Sequence, residues 1–205
     1  WTPKFRSLVN AKYAADYTHY ENQDAKLIQT KNTYKQKELY ASCANLYNIM
    51  DNWEVSFPYD FQWNTLDATF YMPTESDGTF PYPTRYMQMA ALATAFEWGR
   101  LKGQASVLGY FAHEKVKRFE ARPDKAVATP AFFLSYKPFR RQDLSFRAFY
   151  KRMFRMPTFN DLYYTDMGNA FLKPEYAEQF NVGLKYARSF MNIPTLRMID
   201  ASVDA

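Results

Sequence analysis

The 205-residue chain is rich in large rings, with aromatic residues making up 19% of it, yet its mean hydropathy is −0.52. Its formal charge is +5, but the lysines and arginines are scattered along the chain, which argues against nucleic-acid binding. No run of about 18 apolar residues occurs, so a transmembrane helix is excluded. A transmembrane barrel is not excluded, because its alternating strands average out as polar.

Alternation of apolar and polar residues, the pattern of a β-strand with two different faces, dominates the sequence. It is clearest from Trp53 to Asn64, where every odd position is large and apolar and every even position is polar or Pro58. In chain order, the predicted strands cover residues 5–17, 34–47, 53–64, 85–98, 101–117, 125–137, 143–151, 175–186 and 195–205. Pro58 removes one ladder hydrogen bond, so we expect a bulge or a weak point there.

The connections between these strands alternate in length. Residues 21–33, 66–84 and 155–174 form long connections, residues 118–124 an intermediate one, and residues 48–52, 97–101, 138–142 and 188–194 short ones. Long loops at one end and short turns at the other are typical of outer-membrane barrels, whose long loops lie outside the cell. The pattern therefore predicts an all-β, antiparallel, up-and-down transmembrane β-barrel, with residues 1–205 supplying about nine of its strands.

Aromatic residues gather near the ends of the predicted strands. In a membrane barrel, such rings form two girdles at the two interfaces between membrane and water. The candidates are Tyr17, Tyr20, Tyr34, Tyr71, Tyr86 and Tyr110 toward the long loops, and Tyr47, Trp53 and Trp98 toward the tight turns.

Two stretches around the last long loop closely resemble a paired box of TonB-dependent receptors, most of all those from Bacteroides-like bacteria. The first box ends one strand and the second opens the next; together they contain Arg155, Pro157, Thr158, Gly168, Asn169, Leu172, Pro174 and Glu175. The resemblance implies a barrel of about 22 strands filled by an N-terminal plug. It also implies import of a scarce nutrient with energy delivered through TonB. This sequence shows no plug and no TonB-contacting box, so we expect it to be a partial barrel domain.

The residues of the two boxes also have a direct physical interpretation. Pro157 and Pro174 cannot continue a ladder, so they end the flanking strands, and Arg155 at the strand end is assigned to structure as well. Gly168-Asn169 suits a turn with positive φ. The rings of the intervening loop either stack on a ligand or pack the loop on itself. Because binding residues concentrate on loops, the candidate substrate-binding residues are Phe159, Asn160, Asp161, Tyr163, Tyr164 and Asp166.

The sequence contains no catalytic set, no phosphate-binding loop and no spacing typical of metal ligands, so we expect no enzyme activity, cofactor or metal. His19 and His113 fall near the outer ends of their strands, where a single histidine is more often structural than a ligand. The resemblance bears on haem as well, since haem receptors of the family carry a histidine between the two boxes. Residues 158–167 contain none.

The resemblance implies TonB-dependent import of a scarce nutrient, such as a corrinoid or a ferric siderophore, across the bacterial outer membrane. The expected partners are outer-membrane lipid, the nutrient, the TonB complex acting through the absent plug, and, as a further candidate, a surface lipoprotein. A passive porin is one alternative, because alternation alone fits it equally well. A soluble all-β binding module or carbohydrate-active enzyme is another, and it requires a second sheet over the apolar row of residues 53–63.

Overall fold

The computed structural model describes residues 4–22, 30–71, 80–139, 143–163, 168–189 and 198–204. They form one sheet and one short helix, α1 (Phe159–Tyr163). The strands are β1 (Phe5–Asn22), β2 (Thr30–Met50), β3 (Trp53–Phe70), β4 (Thr84–Trp98), β5 (Leu101–Lys115), β6 (Lys125–Tyr136), β7 (Asp143–Arg155), β8 (Glu175–Ser189) and β9 (Met198–Asp204). Each strand pairs antiparallel with its neighbours in sequence, in the order β1 to β9. The predicted all-β, up-and-down topology is therefore confirmed.

One face of the sheet is apolar from β1 to β9. Residues directly opposite each other in an antiparallel pair point to the same side, so the register carries one face from strand to strand. We call the side that carries Phe57 the outer face and the opposite side the inner face. The register places Val55, Phe57, Phe61, Leu144, Phe146, Phe180, Val182 and Leu184 on the outer face, and Glu54, Asp60, Gln62, Arg147, Gln179 and Asn181 on the inner face. This is the predicted division.

The rings of the outer face are open to the surroundings. Phe57 is 53% exposed and Phe180 is 71% exposed. All nine strands that the described residues form belong to the same sheet, so no second sheet covers this row. A soluble all-β module requires a second sheet over this row, and the described part of the chain does not provide one. Charged residues interrupt the apolar face in two regions. Arg152 and Glu178 lie opposite each other with Nε and Oε1 3.7 Å apart. Near the long loops the outer face carries Lys35, Lys37, Asp67 and Lys115.

Burial is concentrated on the inner face, at the end of the sheet that carries the long loops. There Tyr34, Leu66 and Ala68 form a buried cluster with Phe80 and Phe159 from the loops. Tyr110 also occupies an inner-face position. The girdle prediction is therefore wrong for Tyr20, Tyr34 and Tyr110, whose register positions lie on the inner face. The parity of a residue along its strand, and not its closeness to a strand end, decides which face it occupies.

The ladder is interrupted or ends at two prolines. Between β3 and β4, pairing is missing at Phe57 and Pro58, and the register on either side is unchanged. The expected weak point is confirmed, whereas the alternative, a bulge, does not occur there; the register shift in this region lies at the β2–β3 turn, between Asn48 and Met50. Pairing of β6 with β7 starts only at Ala131, directly after Pro130. Since proline has no N–H to donate, each site loses a ladder bond.

The connections alternate between the two ends of the sheet as predicted, but one pair does not sort by length: the first connection predicted to be long spans residues 23–29, seven residues, and the last one predicted to be short spans residues 190–197, eight residues. The strand ends next to residues 51–52, 99–100, 137–142 and 190–197 lie at one end of the sheet, and the strand ends next to residues 23–29, 71–83, 116–124 and 156–174 lie at the other. The first of these long loops is shorter than expected, because β1 and β2 remain paired as far as Asn22 and Thr30. The residues that extend this hairpin are mostly polar, so apolar alternation does not reveal them. No helix in the described residues is long and apolar enough to cross a membrane.

If the outer face meets lipid, a charge near the middle of its apolar row is costly. We expect Phe57→Arg in the full-length protein to lower the free energy of unfolding by about 2–4 kcal/mol. Gln62→Arg, on the inner face of the same strand, should be close to neutral because Gln62 already contacts the Glu38 carboxylate at 3.1 Å. Reversible unfolding in lipid vesicles measures both values. Equal costs at the two positions would contradict a lipid-facing row.

Candidate functional site

The first sequence box forms a capped helical turn. The Thr158 N–H donates to the Asp161 carboxylate at 2.8 Å, and the Asp161 N–H donates to the Thr158 hydroxyl at 3.2 Å. This reciprocal arrangement satisfies two N–H groups that the start of a helix leaves unpaired. Hydrogen bonds from Thr158 lower the pKa of Asp161, and the nearby Arg155 adds to the effect. The short helix α1 therefore begins at a fixed point directly after Pro157.

A buried ion pair holds helix α1 against the inner face of the sheet. Arg85 of β4 donates through Nε and Nη2 to one carboxylate oxygen of Glu114 of β5, at 3.0 and 2.8 Å, and both side chains are about 95% buried. Arg85 Nη1 donates to the Pro157 carbonyl at 2.6 Å. The Phe159 ring lies over the guanidinium, 4.7 Å from it. Arg85 thus contacts the loop after β7 through both a hydrogen bond and a ring.

Glu114 completes the attachment from the other strand. Its second carboxylate oxygen accepts a hydrogen bond from the Tyr163 hydroxyl at 2.6 Å. Burial and this hydrogen bond raise the pKa of Tyr163. A raised tyrosine pKa means that the contact is intact below the ordinary tyrosine pKa of about 10 and is lost only as the pH rises through the higher folded value. We call Arg85, Glu114 and Tyr163 the loop clamp.

The second box is tied to the first by the backbone. The Asn169 N–H donates to the Asp161 carbonyl at 2.8 Å, and the Asn169 side-chain oxygen accepts from the Phe171 N–H at 2.9 Å. Arg122, in the connection after β5, donates to the Leu172 carbonyl. The Arg155 guanidinium bridges the two boxes, with Nη2 3.7 Å from Asp161 Oδ2 and Nη1 3.7 Å from Glu175 Oε2. The assignment of Arg155 and Pro157 to structure agrees with these contacts.

The predicted binding residues separate into two groups in the structure. Phe159 is 3% exposed and Tyr163 is half-buried, so these two rings pack the loop on the wall. Asn160 is exposed and Asp161 is partly exposed, while Phe171, in the second box, is 91% exposed. Tyr164 and Asp166 lie outside the described residues. A ligand-binding role for the six residues stays a prediction.

The sequence interpretation missed Arg85, Glu114 and Arg122. A signal for the first two exists, because a two-residue turn at residues 99–100 sets the register that places Arg85 opposite Glu114. The sequence gives no such signal for the burial of Arg85 and Glu114, because their burial depends on the loop after β7, which is distant in sequence from both. Arg122 lies in an irregular connection, where no periodicity applies.

Both histidines lie near the ends of their strands that adjoin the long loops, and both have hydrogen-bonding partners there. His19 contacts the Thr33 hydroxyl at 3.1 Å and a Glu21 carboxylate oxygen at 3.4 Å. His113 Nδ1 lies 2.6 Å from the Asp124 carboxylate, and its ring stacks on Tyr86. The described residues contain no group of three or more metal-ligating side chains.

Comparison with known proteins identifies the family to which this chain belongs. The sequence matches the family model "TonB dependent receptor-like, beta-barrel" over residues 1–203. The chain belongs to the TonB-dependent receptor family. Receptors of this family are outer-membrane transporters of Gram-negative bacteria and not enzymes. A search of curated proteins found no match.

Several solved structures share the fold of this receptor barrel. The copper transporter OprC is 14% identical with a TM-score of 0.62, and the match covers 98% of this chain and 35% of that one. The FrpB iron transporter of Neisseria meningitidis is 13% identical with a TM-score of 0.63, covering 88% and 31%. The Serratia marcescens hemophore receptor HasR, solved with HasA and heme, is 12% identical with a TM-score of 0.55, covering 98% and 39%. The chain thus spans about a third of the length of these receptors.

If the loop clamp holds α1 in place, removing one of its hydrogen bonds should make the loop of this receptor barrel open more easily. Tyr163→Phe removes one hydrogen bond to a charged group and should cost about 1.5–3 kcal/mol in the free energy of loop opening. Hydrogen exchange of the backbone amides of residues 158–163 reports this opening. Tyr59→Phe is the matched control, because the Tyr59 hydroxyl donates to Gln88 at 3.3 Å on the exposed outer face. Equal exchange in the two variants would contradict the clamp.

Glu114→Gln tests the ion pair itself. This change leaves the buried Arg85 without a charged partner and should destabilise the barrel by about 3–5 kcal/mol. Replacing both partners, Arg85→Met with Glu114→Gln, should restore part of that loss because no unpaired charge remains buried. Thermal unfolding of the full-length receptor measures both variants. A double variant less stable than Glu114→Gln alone would exclude the pairing as the source of the loss.

Proposed function

We propose that this chain is part of the barrel wall of a transporter that imports a scarce nutrient across the outer membrane with energy delivered through TonB. The observation that carries the proposal is the family match over residues 1–203. The exposed apolar outer face, the sorted loops and the polar inner face support it, since a lipid-embedded barrel with an aqueous interior needs all three.

The wall and one loop are the contributions of this segment to transport. The clamp draws the connection after β7 inward over the inner face, so that connection narrows the extracellular end of the barrel. Both ends of α1 are fixed, by the Thr158–Asp161 capping pair and by the Tyr163–Glu114 hydrogen bond. A helix fixed at both ends presents Asn160 and Asp161 in a defined geometry, which reduces the entropy lost on ligand binding.

The ligand-contacting residues that we propose are the residues of the loop that are not part of the clamp. Asn160 and Asp161 are accessible in the structure, and Tyr164 and Asp166 follow them in sequence. Phe159 and Tyr163 take part by holding α1 in place. Asp161 is a carboxylate at neutral pH and favours cationic or hydrogen-bond-donating groups on the ligand, and its lowered pKa extends this charged state to a lower pH.

A bulky corrinoid or ferric siderophore is the proposed cargo. The loop between the boxes carries no histidine, which argues against haem bound in the manner usual for the family. HasR was solved with heme, and that ligand belongs to HasR. The proposed partners are the TonB complex, reached through a plug, and a surface lipoprotein that delivers the ligand.

The test of active import is growth of the bacterial host on limiting cobalamin or limiting ferric siderophore. Deleting the gene of the full-length receptor should abolish growth on one of these nutrients. Disrupting TonB should have the same effect, because import against a gradient needs energy. Unimpaired uptake without TonB would instead indicate a passive porin.

The capture loop is tested by the double change Tyr163→Ala, Tyr164→Ala in the full-length receptor. Losing a ligand-stacking ring at Tyr164 costs on the order of 1 kcal/mol, which corresponds to about a fivefold loss of affinity. Losing Tyr163 adds to the effect because it removes the hydrogen bond that holds α1 to Glu114. We expect a measurable fall in uptake at low ligand concentration, with surface expression checked in parallel. Tyr59→Ala, on the outer face, is the control. Normal uptake by the double variant at normal expression would exclude the loop from ligand capture and leave the transporter proposal intact.

A further inference from the structure

The ladder between β6 and β7 is closed over only part of its length. β6 pairs with β5, and β7 pairs with β8, along the whole of each strand. Within these described strands, however, β6 pairs with β7 only from Ala131 to Tyr136. Toward the long loops, residues 125–130 of β6 and residues 152–155 of β7 therefore border an interval without ladder pairing. We call this interval the seam.

The seam begins at a proline and continues to the ends of both strands. Pro130 is the residue next to the last paired position of β6, and proline has no N–H to donate to a ladder. The pairing of β3 with β4 is also interrupted, at Pro58, but it resumes on both sides in the same register. The pairing of β6 with β7 does not resume. Proline alone therefore does not account for the seam, and the two strands diverge beyond Pro130.

The contacts that cross the seam within the sheet are made by side chains. The Phe154 ring of β7 lies 4.9 Å from the Tyr110 ring of β5, measured between centroids. The Lys125 ammonium of β6 lies 5.7 Å from the centre of the Tyr176 ring of β8. One ring pair and one cation–π contact hold two strands together less firmly than a run of ladder hydrogen bonds does. The wall is thus weakly joined along this interval.

Hydrogen bonds beyond the strand ends join the two sides of the seam instead. On one side they start from β4, from β5 or from the connection after β5, and on the other side they end in the connection after β7. The bonds run from Arg85 to the Pro157 carbonyl at 2.6 Å, from the Tyr163 hydroxyl to Glu114 at 2.6 Å, and from Arg122 to the Leu172 carbonyl. We call these three bonds the latch. Breaking them detaches the end of the β7–β8 hairpin from the rest of the wall, while the ladder between β7 and β8 keeps the hairpin intact.

We propose that the seam is a hinge in the barrel wall, closed by the latch. When the latch opens, residues 152–155 and 175–178 and the connection between them swing away from β6 as one unit. The paired part of β6, from Ala131 to Tyr136, stays closed and acts as the pivot. Because the connection after β7 narrows the extracellular end of the barrel, the swing widens the entrance. The inference rests on the ladder and on the contacts across it, and not on the identity of the transported nutrient.

The experiment measures distances between pairs of spin labels by double electron–electron resonance. It uses the full-length receptor in lipid vesicles, with Cys43 replaced by serine. Leu92→Cys on β4 is combined with Ala177→Cys, which lies beside the seam on β8, or with Phe180→Cys, which lies on β8 where β6 and β7 are paired. Each pair spans four strand spacings, about 20 Å. The second pair is the control for the position of the label.

With the latch intact, each label pair should give one narrow distance. Tyr163→Phe with Arg122→Gln removes two of the three latch bonds. This latch variant should add a second population to the Leu92–Ala177 distance, longer by about 5 Å or more, the width of one strand spacing. The Leu92–Phe180 distance should not change, because the ladder still joins β6 to β7 at that level.

A matched control variant removes the same two kinds of bond far from the latch. In Tyr59→Phe with Arg100→Gln, one tyrosine hydroxyl bond, to Gln88, and one arginine bond, to the Pro138 carbonyl, are lost. Both distances should remain as in the parent receptor. A second population of the same size in this control variant would refute the latch.

Two results in the latch variant would overturn the hinge. One is an unchanged Leu92–Ala177 distance. The other is an equal second population in the Leu92–Phe180 pair, which would mean that the wall loosens as a whole. If the latch variant does not assemble, Arg122→Gln alone, which changes a residue of the connection after β5, should give a smaller long-distance population. Absence of that population would refute the proposal equally.

Discussion

The consecutive antiparallel hydrogen-bond ladder is the constraint on which the rest of this structure depends. Inside a bilayer, each backbone N–H and C=O group needs a partner within the protein, and pairing every strand with its sequence neighbours supplies it. Because opposed residues share a face, the ladder also transmits one side-chain parity from β1 to β9. A slip of one residue in β3 would place Pro58 and Gln62 where Phe57 and Phe61 now lie, so the apolar outer face and the register determine each other.

The two sequence boxes are explained by the same ladder where it ends. Residues 125–130 of β6 do not pair with β7. The chain after β7 turns onto the inner face at this end of the sheet. The clamp residues Arg85 and Glu114 are neighbours across the β4–β5 ladder, so the sheet itself brings them together. Hydrogen bonds among Thr158, Asp161 and Asn169 then tie the first box to the second. The boxes are therefore accounted for as structural elements that position a loop, which is consistent with a capture role for the side chains between them.

Much of the fold could be predicted from the sequence, because alternation and turn placement are local. The faces of β3, β7 and β8 and most of the division into long and short connections followed from these signals. The exceptions have physical causes. Tyr34 and Tyr110 were misplaced because closeness to a strand end was weighed above parity. The buried state of Arg85 and Glu114 and the helix α1 depend on packing between segments that are distant in sequence, which no periodicity encodes. The ligand requires chemistry that the barrel wall alone does not specify.

The central claim, that the outer face meets lipid and the inner face meets water, is tested most directly by spin-label accessibility. Phe57→Cys and Gln62→Cys would be labelled one at a time in the full-length receptor in vesicles, with Cys43 first replaced by serine because it lies on the outer face. The account predicts that a label at position 57 is relaxed by oxygen, which dissolves in lipid, and not by a water-soluble nickel complex. A label at position 62 should show the smaller oxygen effect. Relaxation of the label at position 57 by the nickel complex, to the extent seen for a label on an exposed loop, would contradict it.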